Sequence, residues 1–409
     1  MQTNLSERSK KLPRADEAER ILRSCVHCGF CNATCPTYQV LGDELDGPRG
    51  RIYLIKSLLE GGEATARTQQ HLDRCLTCRN CETTCPSGVE YHTLLDIGRE
   101  EIERRVRRPL PQRLLREGLR QVVPRRRVFG ALLRLGQAVR GLLPDAIRTK
   151  VPAQAPAPGH RPAPRHARRM LMLEGCVQPS LSPNTNAATA RVLDRLGISI
   201  VDADRAGCCG ATDYHLNDQQ EGLDRARRNI DAWWPAIEAG AEAIVQTASG
   251  CGAFVKEYGH LLRHDPAYAD KARRVSELAR DVAEVLRAEP AQDLGSGTAR
   301  IAFHCPCTLQ HAQKLGGVVE DILSRFGFDL TPVPNAHLCC GSAGTYSITE
   351  PELSNTLRRN KVDALESGGP ELIATANIGC QTHLAGAAHV PVRHWIELVD
   401  AHLPPQPAT

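Results

Sequence analysis

Residues 25–36 read CVHCGFCNATCP and residues 75–86 read CLTCRNCETTCP. Each is a Cys-x2-Cys-x2-Cys-x3-Cys-Pro run, and equivalent cysteines stand fifty residues apart throughout. An iron–sulfur cubane needs four thiolates, and loops this short let three sulfurs wrap one cluster, so the fourth ligand comes from elsewhere. In the bacterial two-cluster arrangement the last cysteine of each run serves the other cluster. That rule assigns one [4Fe–4S] cluster to Cys25, Cys28, Cys31 and Cys85, and the other to Cys75, Cys78, Cys81 and Cys35. Pro36 and Pro86 then redirect the chain after the crossing cysteines. The competing reading, a pair of tetrahedral zinc sites, calls for Cys-x2-Cys pairs spaced farther apart than these.

Working outward, residues 16–24 read as a helix leading into the first run, and a helix near 51–60 connects it to the second. Arg49 and Arg51, in DGPRGR, read as braces for this insert. A two-cluster ferredoxin-type domain is therefore expected over 1–98. Residues 99–150 form a basic helical segment with a local net charge of +10, against +4 for the whole chain. It has a single aromatic residue, Phe129, and no zinc-finger spacing, which argues against nucleic acid. Val128, Leu132, Leu135, Val139 and Leu142 recur at helical spacing there, and an amphipathic basic helix suits a membrane surface. A helix packed on its own domain is the alternative. A Pro/Ala-rich linker follows over 151–167, and MLML at 170–173 reads as a buried strand opening a new domain.

From 168 onward the chain repeats itself. Cys176, Cys208 and Cys209 recur at an offset of 131 as Cys307, Cys339 and Cys340, and Cys251 recurs as Cys380 at 129. Each half runs Cys, thirty-one residues, Cys-Cys-Gly, about forty residues, Cys. Between these cysteines lie strand and helix patterns in alternation: MLML, a helix at 184–196, ISIVD, a helix near 216–238 and AIVQT, then RIAFH, GGVVEDILSRF, DLTPV, a helix near 351–366 and LIATA. Alternation of this kind predicts a parallel α/β sheet in each repeat, over 168–290 and 298–403, with the cysteines at strand carboxyl ends. The fold class expected is α+β multidomain: an N-terminal helical, ferredoxin-like two-[4Fe–4S] module followed by a duplicated α/β Cys-Cys-Gly domain. Two roles for the eight repeat cysteines stay open, binding a cofactor (a further cluster or redox centre) and structural packing. A glycine after paired cysteines suits close backbone approach to a bulky ligand. His304, His311, His383 and His394 read as structural or surface histidines.

At 409 residues the chain exceeds one ordinary core. Its seventeen cysteines, behind a polar N-terminal stretch SERSKKLPRADEAER, predict a reducing compartment and metal or redox chemistry before disulfides. No run of about 18 apolar residues occurs. Dinucleotide, P-loop and H-E-x-x-H motifs are missing, so no substrate or catalytic residue is expected in the chain itself.

The strings CVHCGFCNATCPTYQVLGDELDGPRGRIYLIKSLLEG and HLDRCLTCRNCETTCPSGVEYHTLLDIGR, with the Cys-Cys-Gly half, resemble the iron–sulfur subunit of glycolate oxidase, the bacterial glycolate dehydrogenase. Related architecture belongs to the C subunit of anaerobic glycerol-3-phosphate dehydrogenase, to lactate-utilisation proteins and to heterodisulfide reductase subunits, which are the alternative families. The resemblance implies an oxidoreductase complex in which FAD-containing subunits oxidise glycolate to glyoxylate and this subunit passes the electrons towards a quinone. The polar N-terminal stretch and the basic amphipathic segment lead to the expectation of a cytoplasmic location, peripheral on the inner face of the cell membrane. Two departures stand out. Heterodisulfide reductase repeats end in Cys-x2-Cys, whereas Phe254 and His383 stand here, which puts non-cubane clusters in doubt. The second repeat has His304-Cys305-Pro306-Cys307 in place of His-Asp-Pro-Cys, so Cys305 is an extra thiol and not a ligand.

Overall fold

The computed structural model describes residues 1–142, 144, 148, 151–203, 205–290 and 297–404. The basic segment therefore ends partly outside the described residues. The chain divides into two compact units: Met1–Glu117 with His337–Lys361, and Gly118–Ala336 with Val362–Thr409.

Among the described residues, the first unit is built of helices and turns. Ala15–Ser24 buries Ala15, Ala18, Ile21 and Leu22, one stripe at helical spacing. Pro36 and Pro48 occupy the first turns of Pro36–Leu41 and Pro48–Leu59, where a missing N–H leaves no bond unmade. The stripe of the first helix meets Ile52, Ile55, Leu58 and Leu59 of Pro48–Leu59 and Leu94, Leu95 and Ile102 of Tyr91–Arg105. Cys25 and Cys81 border the same core, so the helices set the position of both cysteine loops.

Among the described residues, the second unit holds two four-stranded parallel sheets. Strands β1 (Arg168–Met172), β2 (Ile198–Val201), β3 (Ile244–Gln246) and β4 (Ala279–Asp281) form the first, ordered β2-β1-β3-β4. Strands β5 (Arg300–His304), β6 (Asp329–Leu330), β7 (Leu372–Thr375) and β8 (Val392–His394) form the second, ordered β6-β5-β7-β8. The unbroken apolar run MLML follows from burial on both faces. Met170 and Met172 join a core shared with Ile301 and Phe303 of the second sheet, whereas Leu171 and Leu173 pack with Ile230, Trp233 and Tyr258 on the other face. The edge strands β4 and β8 have no counterpart in the sequence reading. Each spans three residues, too few to display a periodicity.

The described part of the basic segment includes the end of Tyr91–Arg105 and the helices Leu110–Val122 and Arg126–Ala138. Their apolar side chains are not buried: Leu114, Leu132 and Leu135 are 63%, 49% and 61% exposed. No described helix is long and apolar enough to cross a membrane.

Candidate metal centres

The two cysteine loops share an uncommon backbone. His27 and Gly29 in the first, and Thr77 and Arg79 in the second, have φ of 61°, 86°, 52° and 60°. Left-handed residues alternating with ordinary ones curl the chain so that successive N–H groups converge, a concavity suited to anionic sulfur. Three of the four are not glycine, and strain of this kind persists where the surroundings impose it. The Thr77 N–H already donates to Cys75 Sγ at 3.5 Å.

Beside the loops lie two cavities. The first, of about 420 Å³, is lined by Cys25, Cys28, Cys31 and Cys85, with Arg49 and Pro86. The second, of about 300 Å³, is lined by Cys35, Cys75 and Cys78, with Arg51 and Arg79. Cys81 and Tyr91 border both. Burial pushes the Cys31 thiol up to about 11 and raises Cys25 and Cys81 as well. Sulfurs so placed become thiolates only against a compensating positive centre, so this donor set fits bound iron.

The surroundings of the second cavity were not legible from spacing. Arg51, buried at 1% exposure, donates to the His71 carbonyl at 2.7 Å and the Thr37 hydroxyl at 3.1 Å, and pairs with Asp46 at 3.4 Å. Thr37 Oγ1 in turn lies 3.2 Å from Cys35 Sγ. Arg99 donates to the Cys75 carbonyl at 2.8 Å. The bracing role read for Arg51 is thus a buried ionic network. Arg49, by contrast, is partly exposed and paired with Glu44 at 2.6 Å.

Cys176 follows β1, Cys208 and Cys209 follow β2, and Cys251 sits in the helix Ser249–Lys256 after β3, so three adjacent strands deliver four sulfurs to one end of the sheet. These thiols hydrogen-bond in series, Cys176 with Cys208, Cys208 with Cys209, and Cys209 with Cys251. Cys208 is the thiolate-favouring member. The Cys176 and Cys209 thiols and the Gly210 N–H all act on its sulfur, and Arg225 is nearby. Asn229 and Tyr258 clamp the backbone, donating to the Cys208 carbonyl at 3.0 Å and the Cys209 carbonyl at 2.6 Å. Burial lifts Asp213 to about 6 although Arg225 stands 2.6 Å away. Cys307 and Cys380 occupy matching positions after β5 and β7, while Cys339 and Cys340 belong to the first unit. Cys305 packs in the apolar core. His304 lies 3.0 Å from the Thr375 hydroxyl, and His394, lowered to about 4 by burial, caps Ile396.

The glycine of each Cys-Cys-Gly has a cause other than a ligand. Gly210 and Gly341 have φ of 101° and 87°, and a Cβ there would meet the Gly222 carbonyl oxygen at 2.3 Å and the Ser354 carbonyl oxygen at 2.6 Å. The following helix approaches the turn too closely for a side chain.

Residues 21–89 match the 4Fe-4S dicluster domain family, and residues 170–256 and 301–385 match the Cysteine-rich domain family. The chain is 69% identical to the glycolate oxidase iron–sulfur subunit of Escherichia coli (strain K12) over 404 residues, 98% of this chain and 99% of that one. It is 33% identical to a Bacillus subtilis (strain 168) protein named "Probable glycolate oxidase iron-sulfur subunit", over 90% of this chain and 88% of that one. A hypothetical protein from Helicobacter pylori has a similar fold, with a TM-score of 0.53 at 10% identity, covering 98% of this chain and 74% of that chain. The dicluster match over these loops and their eight cysteines gives the first unit two [4Fe–4S] clusters.

Proposed function

This chain belongs to the family of glycolate oxidase iron–sulfur subunits, and from that premise we propose the route by which it serves as the electron-transfer component of the oxidoreductase. FAD-containing partner subunits oxidise glycolate to glyoxylate, releasing two electrons and two protons. The electrons pass singly through the two clusters towards a quinone. One cluster takes Cys25, Cys28, Cys31 and Cys85, and the other takes Cys75, Cys78, Cys81 and Cys35.

The observation that carries this reading is the composition of the two cavities. Cys85 borders the first cavity with the sulfurs of residues 25–31, and Cys35 borders the second with those of residues 75–81. The repeat cysteines form the downstream redox end, a reading supported by four sulfurs in series at one sheet end. The domain boundaries 1–98, 99–150, 151–167, 168–290 and 298–403 belong to the same proposal. So does peripheral attachment to the inner face of the membrane, supported by exposed leucines on the two basic helices.

Affinity purification of the full chain under anaerobic conditions tests the route. Flavin-containing subunits should co-purify, glycolate should reduce the clusters, and the N-terminal module should hold about eight iron and eight sulfide. Zinc in place of iron, or clusters that glycolate leaves oxidised in the presence of the flavoprotein, would reject it.

A further inference from the structure

The two cavities share a loop backbone but differ in charge. Arg51 borders the second cavity itself, beside Cys35 and Cys75. Its guanidinium is buried and stays cationic, as arginine does in any protein interior. Asp46 does not neutralise it fully, because the same carboxylate also pairs with Arg74 at 2.8 Å. At the first cavity the nearest guanidinium, Arg49, is screened by water and by Glu44.

Cluster potentials follow net charge, hydrogen bonding and solvent exposure. Two trends oppose each other here. Water near the exposed Cys28 favours an added electron at the first site, while the buried, only partly compensated Arg51 charge favours it at the second. A charge acts about fourfold more strongly at an effective dielectric near 20 than in bulk water. Arg51 forms part of the second cavity's wall, whereas Cys28 is the single exposed cysteine at the first, so charge prevails.

A separate observation identifies the same end. Residues His337–Lys361, which carry Cys339 and Cys340, belong to the unit that holds the clusters. Asn80, adjacent to Cys81, donates to the His337 carbonyl at 3.0 Å, and the buried Tyr346 donates to the Arg74 carbonyl at 3.0 Å. Tyr346 lies within electrostatic reach of both Cys75 and Cys339.

We propose that Arg51 makes the second site the higher-potential member of the pair, and that the Cys339–Cys340 segment held on it by Asn80 and Tyr346 makes it the exit end. Electrons enter at the Cys28 edge and leave beside Cys75. One electron moves at a time from the first site to the second, with no bond formed or broken and no proton required. The donor is the partner's reduced flavin and the final acceptor a quinone. This rests on the reading of Cys35, Cys75, Cys78 and Cys81 as one ligand set.

A potentiometric titration of the full-length, cluster-loaded chain, followed by electron paramagnetic resonance, separates the two. Cys78→Ser should delete one cluster signal and so identify the second site; deletion of neither or both would defeat the ligand set, and this inference with it. With the signal identified, the second site should be reduced at the higher potential in the unsubstituted chain. Arg51→Gln should lower its reduced-to-oxidised ratio at fixed poise about tenfold and leave the other site unchanged. Arg51→Lys should restore most of the loss. If Arg51→Gln does not hold its clusters, Arg74→Gln should lower the same signal by a smaller factor. A second site of lower potential in the unsubstituted chain, or equal movement of both signals, overturns the inference even where the ligand set stands.

Discussion

Cys35 is separated by forty residues from the first of the sulfurs with which it shares a cavity, and that separation makes it the most informative single position. Cys35→Ser should lower bound iron from about eight to about four while Cys25, Cys28, Cys31 and Cys85 keep a full set. Iron analysis with paramagnetic resonance checks it, and loss confined to the cavity of the first loop would contradict the crossed assignment. At the other end of the route, Cys209→Ala with Cys340→Ala should abolish reduction of a quinone analogue. The N-terminal clusters should remain reducible by the flavoprotein, since their eight ligands lie elsewhere. Unchanged quinone-analogue reduction in the folded double variant would leave these cysteines a structural role. The buried Asn229 and Tyr258 donate to the Cys208 and Cys209 carbonyls and fix the backbone of that pair from within the protein.

Two elements carry their own consequences. Asp281 ends β4 and caps the helix Val282–Ala288, accepting the Ala283 N–H at 3.0 Å in a capping box with Glu284. Burial raises its carboxyl to about 7 despite the Ala283 N–H and Lys256. An unfolded aspartate titrates near pH 4, so the folded chain binds this proton more tightly. Its contribution to stability is complete below about pH 4 and is lost as pH rises through about 7. Asp281→Asn retains a capping oxygen and should flatten that slope, gaining on the order of 2 kcal/mol at pH 8 relative to the parent. Urea unfolding at pH 5 and pH 8 measures it; an equal difference at both values would show that Asp281 does not titrate in this range. The helices Leu110–Val122 and Arg126–Ala138 expose their leucines beside arginines. Replacing Leu114, Leu132 and Leu135 together by Gln should weaken binding to vesicles of anionic lipid about tenfold or more, and high salt should release the parent chain. Release by detergent alone would argue against a surface-bound helix.

For the molecule as a whole, the sequence by itself determined everything that short spacing encodes. Four cysteines within eleven residues have few ways to hold metal, and a repeat of 131 residues fixes two copies of one parallel sheet, because strand and helix periods are local properties. The stripe of Ala15–Ser24 and the proline that opens Pro183–Arg195 are local signals of the same kind. What only the tertiary structure decided depends on contacts between residues far apart in the chain. Spacing shows DGPRGR but not that Arg51 is enclosed with Asp46, His71 and Thr37, since its burial is produced by helices that meet only after folding. Nor does the duplication reveal that residues His337–Lys361, which carry the second Cys-Cys-Gly turn, belong to the unit of the clusters. The two turns share Cys-Cys-Gly and the left-handed glycine. The second turn's segment is tied to the cluster unit by hydrogen bonds of Asn80 and Tyr346 spanning 257 and 272 residues, a separation at which no local pattern carries information.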